Sequence, residues 1–182
     1  MDEVEIKILN INVKEIEKKL IKLGAKKIGK NLVQIEFFDF PDEKISKNKS
    51  ILRLRKYGKT IELTHKTKRK NQGKFKVREE TEINIDNFEN AEKILKKLGL
   101  KCINKSEKYR TSYKYENLKI EIDQHPKISA YMEIEGNKKD IEKLVKKLGF
   151  TMKDACNLTS SGVLKKYGVN PINLKFKKKS KR

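Results

Sequence analysis

Apolar and charged residues alternate along much of this chain, beginning at its first residues, where positions 3–8 read Glu-Val-Glu-Ile-Lys-Ile. In a β-strand, a period of two puts the apolar side chains on one face and the charged side chains on the other. The same alternation recurs in later segments, several of them joined by short polar turns. We therefore predict eight antiparallel strands, at residues 2–10, 33–40, 50–57, 60–66, 74–84, 107–115, 118–123 and 130–135.

Three other segments repeat apolar residues at helical spacing. The first helix is predicted to start at Asn12, the second at Asp86 and the third at Asn137. Each starting residue can cap a helix, and each segment closes on Lys-Leu-Gly, in which the glycine can take the left-handed conformation of a helix end. A fourth helix is predicted over residues 154–167.

The order of these elements predicts an α+β fold of two similar halves. The helices should cover the apolar side of the sheet, which leaves the charged side either open to solvent or turned inward. Glu3, Glu5 and Lys7 share a strand face with no neutral residue between them, as do Arg53 and Arg55. Because eight strands can close on themselves, we expect an eight-stranded antiparallel closed β-barrel with a charged interior and helices packed on the outside. An open, solvated face is the alternative.

Composition adds limits to this picture. The chain has 182 residues, of which 36% are apolar and 39% are charged. We expect one domain over residues 1–170 and a basic, disordered tail over 171–182. No apolar run approaches the length of a membrane span, and the charged start argues against a secretory signal, so we expect a cytoplasmic protein without membrane contact. Cys102 and Cys156 show no metal-ligand spacing and are predicted to be free thiols.

The net charge of +21 calls for an anionic partner. A surface that only bound phosphates would not interleave its cations with so many acids. Arginine and lysine clusters recognise phosphate oxygens, whereas clustered carboxylates hold hard divalent cations such as Mg²⁺ or Mn²⁺. Together the two kinds of charge point to a metal-bound polyphosphate.

These residues resemble the CYTH domain, a family that includes class IV adenylyl cyclases and thiamine triphosphatases and belongs to the triphosphate tunnel metalloenzymes. Its hallmark Glu-x-Glu-x-Lys stands here at Glu3-Val4-Glu5-Ile6-Lys7. The later blocks follow in order as Leu52-Arg53-Leu54-Arg55, Leu63-Thr64-His65-Lys66, Arg78-Glu79-Glu80-Thr81-Glu82, Lys108-Tyr109-Arg110, Asp123 and Glu133-Ile134-Glu135.

The resemblance implies a tunnel that binds a triphosphate together with a divalent metal. The residues expected to hold the metal are Glu3, Glu5, Asp123, Glu133 and Glu135. Those expected to hold phosphates are Lys7, Arg53, Arg55, Lys66, Arg78, Lys108 and Arg110, with Glu5, Lys7, Lys66 and Lys108 taking the catalytic roles. Supporting roles fall to Glu80, Glu82 and Glu121.

Three functions remain open at this point. A class IV cyclase would convert ATP to cyclic AMP and pyrophosphate. A triphosphatase would use a metal-activated water to hydrolyse inorganic triphosphate, thiamine triphosphate or a nucleotide, or, as a minor alternative, the triphosphate at an RNA 5′ end. The third is a module that binds RNA or polyphosphate without turnover. The cyclase is our first expectation, and the oligomeric state is open, with a homodimer among the alternatives.

Overall fold

The computed structural model describes residues 2–68 and 70–177, without the side chains of positions 2, 3 and 71. Its strands are β1 (Asp2–Ile8), β2 (Lys26–Asp39), β3 (Ile51–Tyr57), β4 (Thr60–Lys66), β5 (Lys70–Gln72), β6 (Phe75–Asn84), β7 (Lys101–Tyr115), β8 (Leu118–Gln124), β9 (Tyr131–Glu135) and β10 (Ala155–Cys156). Its helices are α1 (Val13–Lys22), α2 (Lys44–Lys47), α3 (Phe88–Lys97), α4 (Lys138–Lys147) and α5 (Ser160–Lys166).

Eight of the described strands form a closed barrel. The order β1-β9-β8-β7-β2-β3-β4-β6 is antiparallel throughout, and β6 pairs back onto β1 to close the ring. Closure confirms the predicted eight-stranded barrel and rules out the open sheet. The two short strands pair with barrel strands near their ends: β5 is antiparallel to the start of β6, and β10 is antiparallel to the end of β1.

The two longest strands, β2 and β7, begin earlier than the sequence predicts. They pair with each other over almost their whole length, from Lys26 opposite Lys114 to Asp39 opposite Lys101. Two irregularities interrupt this ladder, one between Lys27 and Gly29 and one between Phe37 and Phe38. A bulge shifts the alternation of side chains by one residue, so a strict period of two does not continue through it.

Two of the three helix starts are confirmed, and one is wrong by a residue. The side chains of Asn12 and Asn137 cap α1 and α4, each by accepting a hydrogen bond from the backbone N–H three residues on. The cap of α3 is Asn87, whose side chain accepts from the N–H of Asn90, rather than Asp86. The helices have four to ten residues, and none in the described chain is long and apolar enough to cross a membrane.

The fourth helix is shorter than predicted. Residues 155–156 pair with β1 instead, and Asp154 holds a turn by accepting from the backbone and hydroxyl of Thr151. Helix α5 therefore starts at Ser160, after the capping side chain of Thr159. The sequence also missed α2, a single turn whose N–H groups at Ile45 and Ser46 donate to Asp39. Such distant side-chain contacts leave no periodic pattern in the sequence.

The helices cover the outside of the barrel, as predicted. The largest apolar cluster joins α1 and α4 to the outer faces of β1, β8 and β9 through residues such as Leu20, Ile134 and Leu144. A smaller cluster joins α3 to β2, β3 and β4 around Leu54 and Leu95. A third lies between α5 and the start of β9, around Tyr131 and Leu164. Most apolar burial is thus outside the barrel, and the interior holds the charged side chains together with a few apolar ones from β2, such as Val33 and Ile35.

The first part of the predicted tail packs against the barrel. The backbone carbonyl of Leu174 accepts from the N–H of Glu107, Asn173 bonds Asn104 and Lys105, and Leu174 is buried. These contacts cover an edge of β7 that lies beyond the end of β8. The packed body therefore reaches past residue 170. Residues 178–182 lie outside the described chain, and their disorder stays a prediction.

Candidate active site

The barrel encloses a cavity of about 340 Å³. Within the described residues, nine cationic side chains and six carboxylates line it. The cations are Lys7, Arg53, Arg55, Lys66, Lys76, Arg78, Lys108, Arg110 and Lys119. The carboxylates are Glu5, Glu80, Glu82, Glu121, Glu133 and Glu135. A lining with this excess of positive charge suits an anion, and it also offers the oxygen ligands that hard cations prefer.

The cavity has two walls that differ in their contacts. The first wall consists of β7, β8, β9 and β1, and the second consists of β2, β3, β4 and β6. Cross-strand pairing brings opposite charges together on both, for example Lys7 opposite Glu133 in the first wall and Lys66 opposite Glu80 in the second. Directly opposite side chains on antiparallel strands lie close enough for such pairs to interact.

Asp123 organises the first wall. Its two carboxylate oxygens accept from Lys108 Nζ at 2.6 Å and from Arg110 Nε and Nη2 at 2.6 and 2.7 Å, and its side chain is 0% exposed. Burial by itself would raise the pKa of Asp123, but Arg110 and Lys108 outweigh it and keep that pKa well below its usual range. Arg110 also pairs with Glu121. The carboxylate therefore fixes two of the predicted phosphate-binding cations.

Lys7 links the acids of the same wall. Its ammonium contacts Glu5 and lies 2.8 Å from Glu133, while Lys76 Nζ lies 2.7 Å from the same oxygen of Glu5. Burial opposes the charged form of Glu133, yet Lys7 and Arg110 hold its pKa well below the ordinary value. Glu133 is therefore ionised at neutral pH.

Lys108 has a lowered pKa, unlike Lys7, Arg110 and Lys119 in the same wall. Burial and the neighbouring Arg110 lower its pKa to about 8, despite the contact with Asp123. A lysine with such a pKa can change its protonation state near neutral pH, which suits a group that acts on a reacting phosphate.

The second wall combines one tight ion pair with longer, more exposed contacts. Arg55 pairs with Glu62, which also accepts a hydrogen bond from the hydroxyl of Tyr57. Arg53 donates to the hydroxyl of Thr64 at 3.1 Å and lies 3.7 Å from Glu82, whose side chain is 39% exposed. Burial and the adjacent Arg55 lower the pKa of Arg53 to about 10. This arginine is therefore a cation with incomplete compensation inside the protein.

A model of the CYTH domain matches residues 1–158. The chain belongs to the CYTH family. A relative from Methanocaldococcus jannaschii, named "Putative adenylate cyclase", is 32% identical over 93 residues. That alignment covers 50% of this chain and 53% of the relative, about half of each.

Solved structures share the fold of this CYTH domain. A putative adenylate cyclase from Vibrio parahaemolyticus matches with a TM-score of 0.76 at 17% identity, covering 90% of this chain and 97% of that one. The PH1012 protein from Pyrococcus horikoshii matches with a TM-score of 0.69 at 26% identity, covering 84% and 93%. A putative adenylyl cyclase from Hippeastrum, described as having a dominant triphosphatase activity, matches with a TM-score of 0.68 at 18% identity, covering 92% and 96%.

Most of the predicted site residues face the cavity of the CYTH domain. The exceptions are Asp123, which lies behind the lining and holds its cations, and Glu3, whose side chain lies outside the described residues. The predicted supporting acids Glu80, Glu82 and Glu121 line the cavity as well. Strand alternation was enough to place the predicted site residues on one surface. The catalytic and binding roles of these residues stay predictions.

Several lining residues were missed. Lys76 and Lys119 share strand faces with Arg78 and Glu121, so the alternation could have identified both. The residues 159–161 were missed because the predicted fourth helix began too early. Phe37 and Ile51 add an apolar contribution to the lining that only the closed barrel reveals.

A hydrogen-bonded chain leads from the cavity to a buried histidine. Ser160 lines the cavity and accepts from the hydroxyl of Tyr131 at 3.1 Å, and that hydroxyl lies 3.1 Å from His125 Nε2. His125 is buried, and its Nδ1 has no hydrogen-bond partner in the described chain. Burial and the nearby Lys108 lower the pKa of His125 to about 4, so the imidazole is neutral at physiological pH.

The donor chemistry of the first wall fits Mg²⁺ or Mn²⁺, because Glu5, Glu133 and Glu135 offer carboxylate oxygens from two paired strands. Each of these acids has a cationic neighbour, such as Lys7 for Glu5 and Glu133 and Lys119 for Glu135. No group of three acidic, histidine or cysteine side chains in the described chain converges tightly enough to hold a metal as it stands. Binding would therefore require that a metal replace lysine contacts. Asp123 has both oxygens occupied by Lys108 and Arg110.

Proposed function

We propose that this CYTH protein is a divalent-metal-dependent enzyme that acts on a triphosphate, and that hydrolysis of the phosphate chain is its reaction. One observation carries the proposal: charged side chains line the cavity from Lys119 and Glu135 at one end to Lys66 and Glu80 at the other. A ligand that is charged along its whole length matches such a lining, because every part of it meets a cation.

The arginines and the lysines of the two walls would have different roles. The guanidinium groups of Arg53, Arg55 and Arg110 can bind phosphate oxygens through paired hydrogen bonds and so orient the chain. Lys7, Lys66 and Lys108 supply point charges that neutralise the negative charge developing on the oxygens of the reacting phosphate. In hydrolysis, a water oxygen forms a bond to the terminal phosphorus and gives up a proton to solvent. The bridging P–O bond breaks, and the released diphosphate takes the electron pair of that bond.

The metal would be held by Glu5, Glu133 and Glu135, with Glu3 as a further ligand expected from the family resemblance. A bound Mg²⁺ or Mn²⁺ would supply charge neutralisation on the phosphates and a more acidic water. The lysines now paired with these acids would then be released toward the substrate phosphates. Asp123 would keep Lys108 and Arg110 in place throughout.

Adenylyl cyclase activity is the second candidate. Phe37 and Ile51 put apolar side chains into an otherwise charged lining, where they could contact the base or sugar of ATP. The relatives named as adenylate cyclases also favour it. In that reaction the ribose 3′ hydroxyl loses its proton to solvent and its oxygen forms a bond to the α-phosphorus. The bond from the α-phosphorus to the α,β-bridging oxygen breaks, and pyrophosphate leaves with that electron pair.

The deciding experiment is a product assay on the purified protein with Mg²⁺ or Mn²⁺. Inorganic triphosphate, ATP and thiamine triphosphate are supplied separately, and phosphate, pyrophosphate and cyclic AMP are resolved. We expect phosphate release that stops when the metal is chelated. Cyclic AMP with pyrophosphate would instead establish the cyclase.

Matched variants separate chemistry from binding. Glu5→Gln and Glu133→Gln should each abolish metal-dependent turnover, whereas Glu79→Gln, an exposed acid that lies between two cavity residues on β6, should leave it unchanged. Tight triphosphate binding without turnover, and with no response to metal, would contradict an enzyme and favour a binding module.

A further inference from the structure

Three lysines lie side by side at one end of the tunnel. Lys26 on β2 is directly opposite Lys114 on β7, and Lys114 is directly opposite Lys119 on β8. We call these residues the lysine row. Lys119 lines the cavity, and Lys26 and Lys114 are exposed, so the row leads from the interior onto the rim.

A bulge puts Lys26 on the inner face of the barrel. Farther along β2, Val33, Ile35 and Phe37 share the inner face, and an unbroken alternation would turn Lys26 outward. The irregularity between Lys27 and Gly29 shifts the register by one residue, so that Lys26 lies opposite Lys114. Bulges next to binding sites commonly redirect a side chain in this way.

The lysine row is unfavourable without an anion. Like charges on directly opposite residues destabilise an antiparallel pair, and here two such pairs adjoin each other. Within the described chain, no carboxylate forms a salt bridge with Lys26 or Lys114, whereas Lys119 lies 3.6 Å from both Glu121 and Glu135. An anionic ligand at the rim would compensate this repulsion.

We propose that the lysine row binds phosphate groups that continue past the tunnel, so that the substrate class is linear inorganic polyphosphate longer than triphosphate. The inference rests on the proposed function, since the tunnel must first hold the end of the chain. Adjacent strands lie about 4.8 Å apart, so the row offers closely spaced charges that match the dense charge of a condensed phosphate chain.

The surroundings of the row favour inorganic polyphosphate over RNA. Proteins that hold single-stranded nucleic acid combine cations with aromatic side chains on which the bases stack. The aromatic residues next to Lys114, Tyr113 and Tyr115, belong to the opposite face of β7, where Tyr113 is buried and Tyr115 packs against the same cluster. On the inner face, Tyr57 of β3 is close enough to Lys119 to interact with it electrostatically. Its hydroxyl, however, donates to Glu62, and its ring centroid lies 5.2 Å from the Arg55 guanidinium. The row therefore presents ammonium groups to a ligand that consists of phosphate.

Binding of sodium tripolyphosphate, of a longer linear polyphosphate and of an RNA with a 5′-triphosphate to the full chain tests this proposal. The variant Lys26→Gln/Lys114→Gln is compared with Lys93→Gln/Lys97→Gln, which removes two charges from exposed positions on α3. We expect the first variant to bind the longer polyphosphate about five- to tenfold more weakly than the wild type does. The slope of log affinity against log salt concentration should become shallower by about two, one for each lysine removed. Its affinity for tripolyphosphate should stay within about twofold, and the control should match the wild type.

The outcomes separate the two proposals. If the wild type does not bind tripolyphosphate, the proposed function fails. If it binds tripolyphosphate but the row variant binds both ligands as the wild type does, the function stands and the row is not a phosphate site. If the row variant loses affinity only for an RNA with a 5′-triphosphate and not for polyphosphate, the row serves nucleic acid and the present inference is overturned.

Discussion

The two walls of the tunnel carry similar charges, but the structure holds them in different ways. In the first wall, Asp123 is fully buried and both of its oxygens bind cations, and Lys7 is 2% exposed between two acids. In the second wall, Glu82 is 39% exposed and lies 3.6 and 3.7 Å from its arginines. The second wall also contains a buried pair, Arg55 with Glu62. The difference between the walls therefore lies in Glu82, whose contacts are longer and more exposed than those of Asp123.

The apolar packing behind the walls differs in the same direction. In the described chain, the cluster beneath α1 and α4, which supports most of the first wall, contains nineteen buried residues, and the cluster beneath α3, behind the second wall, contains five. A well-packed support fixes side chains in one arrangement, whereas a smaller one allows adjustment. We infer that the first wall is preorganised and that the second adapts to the ligand.

The strongest test of this contrast removes the central acid of the first wall. Asp123→Asn leaves Lys108 and Arg110 buried beside a neutral amide, and breaking a buried ion pair in this way typically costs about 3–5 kcal/mol. The control, Glu82→Gln in the second wall, should cost less than about 1 kcal/mol because its pairs are partly exposed. Urea denaturation measures both free energies of unfolding, and equal losses would contradict the difference between the walls.

A second test separates binding from stability. Arg53→Gln should weaken triphosphate binding by about 1.5–3 kcal/mol, the value of a hydrogen bond to a charged group. Its free energy of unfolding should change by less than about 1 kcal/mol, because the charge of Arg53 is poorly compensated. Arg110→Gln in the first wall should reduce both quantities. Calorimetric titration with triphosphate and urea denaturation give the comparison, and a large stability loss in Arg53→Gln would contradict it.

The buried histidine behind the first wall makes stability depend on pH. The pKa of His125 is about 4 in the folded protein and about 6.5 in an unfolded chain. Between these values the unfolded chain binds more protons, so stability is lost as the pH falls from about 6.5 to about 4. This group alone can contribute a slope of up to about 1.4 kcal/mol per pH unit.

The measurement is urea denaturation with chelator across that pH range. His125→Gln should reduce the slope of the free energy of unfolding against pH by the contribution of one proton. His65→Gln should keep the wild-type slope, because His65 is exposed on the outer side of β4. An unchanged slope in His125→Gln would place the acid sensitivity elsewhere in the first wall.

The smallest expected effect concerns the rim where the two walls meet. Lys114→Glu replaces the middle of the lysine row with an opposite charge, and favourable cross-strand pairs are worth about 0.2–1 kcal/mol. We expect the free energy of unfolding to rise by about 0.5 kcal/mol, while Lys93→Glu on α3 should not raise it. A destabilised Lys114→Glu would show that the row carries no internal repulsion.

Much of the site was predictable because a strand alternates its side chains whatever lies next to it. Lys7, Arg53 and Arg110 could be assigned to one charged surface from their own segments. The errors occurred where local pattern was weak or interrupted. The bulge at Ile28 hid the start of β2, and a turn capped by Asp154 replaced the first part of the fourth helix.

The sequence by itself determined that a charged face exists, which residues belong to it, and that helices must cover the other face. The tertiary structure decided that β6 closes onto β1, that Asp123 holds Lys108 and Arg110, and that the bulge brings Lys26 beside Lys114. The reason is that strand direction and side-chain alternation are local properties, whereas pairing and register join residues far apart in the chain. Those distant pairings give each charge its partner.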